Sequence, residues 1–168
     1  FKEKLGIDDI DYQIIQLMQE EPKIDSQTIA DRLKIGKNIV ESRILKLERS
    51  KLLNVTAGVD FRHTNLKLAR IQLKTSDTRP LWNMLKRCPL VSNVYKTTGE
   101  YNLAIEVLSP GVQVVDELVD GCIRPVSVVN EVNIQFYIDA VKKLVLPLSE
   151  KLEEVMLRGC QRYCRNES

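Results

Sequence analysis

At 168 residues the chain has room for one domain or two small ones. Hydrophobic content of 43% and charged content of 29% fit a globular protein, and no apolar run nears the roughly 20 residues a membrane-spanning helix needs. A net charge of only +2 argues against indiscriminate coating of nucleic acid. The charged opening FKEKLGIDDID lacks the apolar core of a secretion signal, so a cytoplasmic chain is expected.

The charge is unevenly placed. Residues 1–60 hold ten Lys or Arg against eleven Asp or Glu, a net of −1. Within them, residues 31–51 carry seven basic and three acidic side chains, a net of +4. The chain opens with a predicted helix from Asp8 to Glu21. Asp8 or Asp9 caps it, and the early acids suit the positive end of the helix dipole. Ile10, Ile14, Leu17 and Met18 form its apolar stripe, and Pro22 ends it.

Asp25–Leu53 then reads as two short helices at a tight turn, Ser26–Leu33 and Lys37–Ser50. Asp25 or Ser26 suits the first N-cap, and Ile29, Ala30 and Leu33 share one face. Lys34-Ile35-Gly36 breaks the pattern, with Gly36 as its flexible residue. Ile39, Val40, Ile44 and Leu47 resume an apolar stripe. Such a pair is a helix-turn-helix, whose second helix can enter a DNA major groove. Lys37, Asn38, Ser42 and Lys46 are expected to face outward and suit phosphates and base edges. Arg43 contacts phosphate or braces the helix. Periodicity and charge alone leave an ordinary solvated helix face equally open.

After Leu53, Asn54–Thr56 and Val59–Phe61 around Gly58 suggest a two-stranded wing. This makes residues 1–61 a winged helix-turn-helix DNA-binding domain and 62–67 a linker. The rhythm then changes. Leu68–Lys74 reads as strand, Thr78–Arg87 as helix with Pro80 in its first turn, and Leu90–Thr97 and Tyr101–Leu108 as a hairpin across Thr98-Gly99-Glu100. Val112–Ile123 reads as helix and Val128–Ile138 as strand. The order β-α-β-β-α-β over 68–140 is the split βαβ of a ferredoxin-like fold, so the fold class is α+β. In the tail, 141–168, Pro147–Tyr163 reads as a helix. Its stripe of Leu148, Leu152, Val155 and Met156 must be buried on its own body or on a partner. The strand residues Val91, Val94, Ile105, Val107, Ile134 and Phe136 predict a sheet with one bare apolar face, covered by a second copy.

Few residues suggest chemistry. The single histidine, His63, falls in the linker, and no Ser/His/Asp set, HExxH or phosphate loop is present. Cys88, Cys122, Cys160 and Cys164 contain no C-x-x-C pair and are expected to be reduced thiols, with no metal and no cofactor. Trp82 reads as a core or interface anchor.

Three motifs taken together resemble the Lrp/AsnC, or feast/famine, regulators. Ile10-Asp11-Tyr12-Gln13-Ile14-Ile15 is similar to that family's D-x-x-I-L start. Val40-Glu41-Ser42-Arg43-Ile44-Leu45-Lys46-Leu47-Glu48 is similar to its V-x-x-R-I-x-x-L-E recognition helix. Thr98-Gly99-Glu100-Tyr101-Asn102 is similar to its T-G-x-Y-D turn. The resemblance spans residues 5–140. It implies a transcription regulator that binds double-stranded DNA through paired N-terminal domains. It also implies a C-terminal RAM-type domain that dimerises, builds larger even-numbered assemblies and binds a small effector, often an amino acid. That effector would sit by Thr98, Gly99, Glu100, Tyr101 and Asn102, with Ser127 nearby. The chain departs from the pattern where Leu33-Lys34-Ile35-Gly36 replaces L-G-L-S, Asn102 replaces Asp, and Ser127-Val128 replaces Gly-Val. Two alternatives remain open: an architectural DNA-binding protein without an effector, and a tetrapyrrole-pathway decarboxylase-like enzyme of the same architecture.

Overall fold

The computed structural model describes residues 2–141, 144–149 and 151–158. The chain divides into two compact units, Phe1–Thr56 and Ala57–Ser168.

The first unit is helical: α1 (Lys2–Leu5), α2 (Asp9–Glu20), α3 (Ser26–Leu33) and α4 (Lys37–Arg49). At the start of α2 the Asp8 carboxylate accepts from the Asp11 N–H at 2.9 Å, and the Asp11 carboxylate accepts from the Asp8 N–H at 3.4 Å. Two otherwise orphaned donors are thus satisfied reciprocally. Asp25 caps α3 by accepting from the Gln27 and Thr28 N–H groups at 2.8 and 2.9 Å. Ile14, Ile29, Ala30 and Val40 are buried together, with Ile10, Leu17, Met18, Leu33 and Ile44 packed around them.

Two details of the helix pair differ from expectation. The left-handed residue of the turn is Lys34, at φ 56, while Gly36 takes φ −70 as the N-cap of α4. That conformation costs a non-glycine about 1–2 kcal/mol. It is offset by α3's closing hydrogen bonds, among them Ile35 N–H to Ala30 O at 3.1 Å. Ile39 does not join the buried stripe and is 43% exposed. At 100° per residue Val40 and Leu47 define the buried side of α4, and Ile39 falls outside it.

The expected wing is not formed by the described residues. Asn54–Thr56 carries no strand. Strand β1 (Val59–Asp60) pairs antiparallel with the distant β6 (Val145–Leu146) instead. A Cβ on Gly58 would stand 2.5 Å from the Leu146 carbonyl oxygen, so only glycine permits this approach. Phe61 opens a 3-10 turn, Phe61–His63, and is buried with Leu68 and Leu108. The segment read as a linker therefore packs into the second unit.

That unit contains β2 (Lys67–Thr75), α5 (Arg79–Leu85), β3 (Val91–Lys96), β4 (Leu103–Ser109), α6 (Val112–Leu118) and β5 (Val129–Phe136). A π-helical turn, Val119–Ile123, continues α6. The expected β-α-β-β-α-β order is present, and the antiparallel sheet runs β3-β4-β2-β5. Ala69, Ile71 and Leu73 of β2 and Leu103, Ile105 and Val107 of β4 are buried with Leu81 and Leu85 of α5 and Val115 and Leu118 of α6.

The bare apolar sheet face is overturned. Val91, Val94, Ile134 and Phe136 pack on this same core, beside the buried Ile105 and Val107. Side chains alternate along a strand, so the opposite face receives Arg70, Gln72 and Lys74 of β2, Glu106 of β4, and Glu131, Asn133 and Gln135 of β5. The helices take these apolar residues, and the opposite face is polar along most of its length, with Leu68 and Leu108 buried there with Phe61.

In the tail, α7 (Leu152–Arg158) buries Leu152 and Val155 in the second unit's core, so part of its stripe is covered by its own body. Leu148 remains 46% exposed. The Met156 side chain, residues 159–163 of the expected helix, and Cys160 and Cys164 lie outside the described residues. Cys88 and Cys122 are buried and form no disulfide. No helix among the described residues is long and apolar enough to cross a membrane.

Candidate functional site

Two places gather the residues singled out from the sequence. The first is the outer side of α4. Lys37, Asn38, Ser42 and Lys46 are all exposed there. Arg43 is not. Its guanidinium donates to Asp11 Oδ1 at 2.9 Å and also pairs with Asp8. Asp11 is completely buried, so Arg43 supplies the counter-charge that such a carboxylate requires. Hydrogen bonds to Asp8 and then Asp11 raise the Arg43 pKa. The Asp11 backbone N–H, followed by Arg43, holds the Asp8 carboxyl below its ordinary value. Of the two roles open to Arg43, bracing is the one its contacts support.

Lys46 stands 3.5 Å from Asp11 Oδ2, and Lys37 stands 3.6 Å from Glu41 Oε1. Among the described residues, Lys34, Arg49 and Lys51 have no such partner. They flank the two ends of α4 and were missed from the sequence. Leu45 was missed too, and is 45% exposed. Extending the helical period from Asn38 through Ser42 would have reached both Leu45 and Arg49.

The second place is the turn between β3 and β4. Gly99 adopts φ 101, and a Cβ added to it would meet nothing within 4 Å, so the turn opens to space. Thr97 Oγ1 donates to the Tyr101 carbonyl at 2.6 Å, and the Thr97 N–H donates to the Asn102 carbonyl at 3.1 Å. Asn102 is anchored from its side chain. Its Nδ2 donates to the Thr75 carbonyl at 2.8 Å, and its Oδ1 accepts from the Thr75 N–H at 3.0 Å. Aspartate could accept but not donate, so this clamp gives the amide a physical reason.

Glu100 pairs with Lys74 at 3.2 Å, and Lys74 also pairs with Glu131 at 3.0 Å. Glu131 first, then Glu100, raises the Lys74 pKa. Thr98, Glu100 and Tyr101, with Arg70, Gln72 and Lys96, line an open hollow of about 560 Å³. Ser127 is exposed in the turn before β5. The Ser76 N–H donates to the carbonyl of its neighbour Val128 at 3.0 Å, at the same end of β2 as Thr75. Thr75 Oγ1 is the buried side-chain oxygen left without a hydrogen-bond partner among the described residues.

The remaining singled-out residues take other places. His63 is exposed at the end of its 3-10 turn. No group of three or more His, Cys, Asp or Glu able to hold a metal occurs among the described residues. Trp82 is a surface residue, 37% exposed, with the Lys96 ammonium 5.6 Å from its ring centroid.

A helical unit and a two-layer αβ unit with helices on one sheet face define the class: a modular α+β chain. Residues 68–146 match the family described as the Lrp/AsnC ligand binding domain. The second unit therefore resembles that family's ligand-binding domain, in keeping with the resemblance drawn from the sequence motifs. The HTH-type transcriptional regulator FL11 of Pyrococcus furiosus is 24% identical over 118 residues, 68% of this chain and 78% of FL11. LysM of Sulfurisphaera tokodaii, also an HTH-type transcriptional regulator, is 24% identical over 117 residues, 68% of this chain and 83% of LysM. Among solved structures, a Neisseria meningitidis transcriptional regulator in complex with L-Met superposes with TM-score 0.74 at 18% identity, over 84% of this chain and 96% of that one. Escherichia coli AsnC superposes with TM-score 0.70 at 13% identity, over 83% and 97%.

Proposed function

We propose that this chain is a sequence-specific, double-stranded-DNA-binding transcription regulator of the Lrp/AsnC type, and not an enzyme. In it α3 and α4 act as the helix-turn-helix, and the second unit acts as a ferredoxin-like effector and assembly domain. The observation that carries the proposal is α4 itself. It exposes Asn38, Ser42 and Lys46 within a segment of net charge +4, in a chain whose relatives are named HTH-type transcriptional regulators. Lys37, Lys46 and the end cations supply phosphate contacts, and Arg43 fixes the helix they stand on. A random-duplex selection at defined salt tests this. A palindromic consensus is expected, since a homodimer presents two helices by symmetry. Lys37→Ala with Lys46→Ala should weaken binding and flatten its salt dependence by about one unit of slope per lost phosphate contact. Failure to enrich any sequence would overturn the proposal.

The effector is placed at Thr98, Gly99, Glu100, Tyr101 and Asn102, with Ser127 beside them. Support comes from the open space at Gly99 and the polar hollow next to it. Asn102 holds the turn, and Glu100, now paired with Lys74, exchanges that partner for an amino acid's ammonium while the turn's backbone meets the carboxylate. One solved neighbour carries L-Met by its description, so methionine leads the compounds to test. Titration calorimetry with the twenty amino acids, on wild type and Gly99→Val, should show heat that the bulky substitution abolishes. Heat that survives places the pocket elsewhere. No heat with any of them favours the architectural, effector-free alternative. A homodimer that joins into a larger even-numbered assembly completes the proposal, and light scattering at micromolar concentration tests it.

A further inference from the structure

Resting on that DNA-binding proposal, the geometry points to a mode of base reading built on amide and methyl contacts rather than arginine: Asn38 reads adenine, and Leu45, with Ile39 at the border of the same stripe, reads the methyl groups of thymine. Helical spacing places Asn38, Ser42, Leu45 and Arg49 in one stripe, opposite the buried Val40 and Leu47. Ile39 and Lys46 border that stripe on one side.

Of the cations near this face, Arg43 is held by Asp8 and Asp11, while the exposed Lys46 and Lys37, 3.5 Å from Asp11 and 3.6 Å from Glu41, are the ones given to phosphate above. Lys34, Arg49 and Lys51, which lack a partner among the described residues, sit toward the ends of α4, where phosphates would pass. In a docked recognition helix the first turns meet the base edges. Those turns offer Asn38, Ile39 and Ser42, with no free guanidinium for the bidentate contact that selects guanine. An asparagine amide fits the N6/N7 edge of adenine, and an aliphatic side chain fits the thymine methyl.

Ile39 and Leu45 are 43% and 45% exposed, on the most basic segment of their unit. The same segment of a second copy would meet like charge there, whereas duplex DNA meets opposite charge. The target class is therefore a duplex half-site of A·T pairs presenting thymine methyls in the major groove.

The test uses the full chain and a duplex taken from the random selection. Replacing its thymines with uracil one position at a time removes single methyls without changing pairing. Wild-type binding should weaken about fourfold at each contacted position, the value of one buried methyl-sized group. Leu45→Ala, or Ile39→Ala, should bind the thymine and uracil duplexes equally. Asn38→Ala should lose about tenfold or more at one A·T pair. All three residues are exposed, and unchanged melting curves check that the variants fold. A selected core of G·C pairs, or wild-type binding indifferent to every uracil, overturns the inference while leaving DNA binding standing. A Leu45→Ala variant that changes oligomer mass but keeps the thymine preference also overturns it, by giving Leu45 to a protein interface. No enriched sequence at all removes the parent proposal, and this inference with it.

Discussion

The two units solve the same problem with different polar latches. In the helical unit the core is small, and α2 is tied to α4 by ions: Asp11, fully buried, and the half-buried Arg43. In the αβ unit the core is large, and the β3–β4 turn is tied to β2 by a neutral amide, Asn102, bonded twice to the Thr75 backbone. A buried charge is costly unless its partner stays in place, whereas a lost neutral bond costs only its own hydrogen bonding and desolvation. The helical unit is thus the one tied by charge, by the Arg43–Asp11 pair above all, with Asp8 and Lys46 beside it.

The largest effect should come from breaking that pair. Arg43→Ala removes the closer of the two cations at the buried Asp11 and leaves Lys46 at 3.5 Å, at a cost of about 3 kcal/mol, the low end of the range because Arg43 is partly exposed and Lys46 remains. Circular dichroism should show the helical unit melting early, while fluorescence of Trp82, the single tryptophan, reports an unmoved αβ unit. Coincident loss of both signals would break the contrast between the units.

Asn102→Asp comes next. It removes the donor to the Thr75 carbonyl and sets carboxylate against carbonyl, at about 1–3 kcal/mol. The carboxyl of that variant should have a raised pKa, since its charged form is disfavoured. Its stability should therefore recover as pH falls through the carboxylate range and the protonated oxygen donates again. A pH-independent deficit in urea denaturation would count against the clamp.

Gly99→Ala should cost about 1–2 kcal/mol, from its left-handed backbone alone, because open space surrounds the position. A cost well above that, read by thermal unfolding, would mean the turn is more crowded than its geometry indicates.

The smallest effect concerns Asp60. The Arg62 guanidinium bonds to it and lowers its carboxyl pKa to about 2, from 3.8. Its contribution is full above pH 3.8 and is lost as pH falls through about 2. An NMR titration of Arg62→Gln should return Asp60 toward 3.8; no movement would reassign the cause.

The helices and strands were largely legible because their signals are local. Asp8 and Asp25 cap where short acids should, and the period-2 runs became β2, β3, β4 and β5. The candidate site was legible in part: the outward position of Asn38, Ser42 and Lys46 follows from Val40 and Leu47 alone. What misled was local too. Gly36 looked like the turn's special residue, but the left-handed position fell one full helix end earlier, at Lys34.

By itself, then, the sequence determined two modules, their element order and the face of α4 that looks outward, since periodicity and capping act within a few residues. Tertiary structure decided what depends on distant partners. Val59–Asp60 found Val145–Leu146 rather than a wing, and Asn102 met Thr75 across 27 residues. Arg43 was drawn to Asp8 and Asp11, and the apolar residues expected on a bare sheet face turned toward the helices. Each is a choice among partners of similar local merit, and only packing makes it, because burial rewards the one arrangement that satisfies every buried group at once.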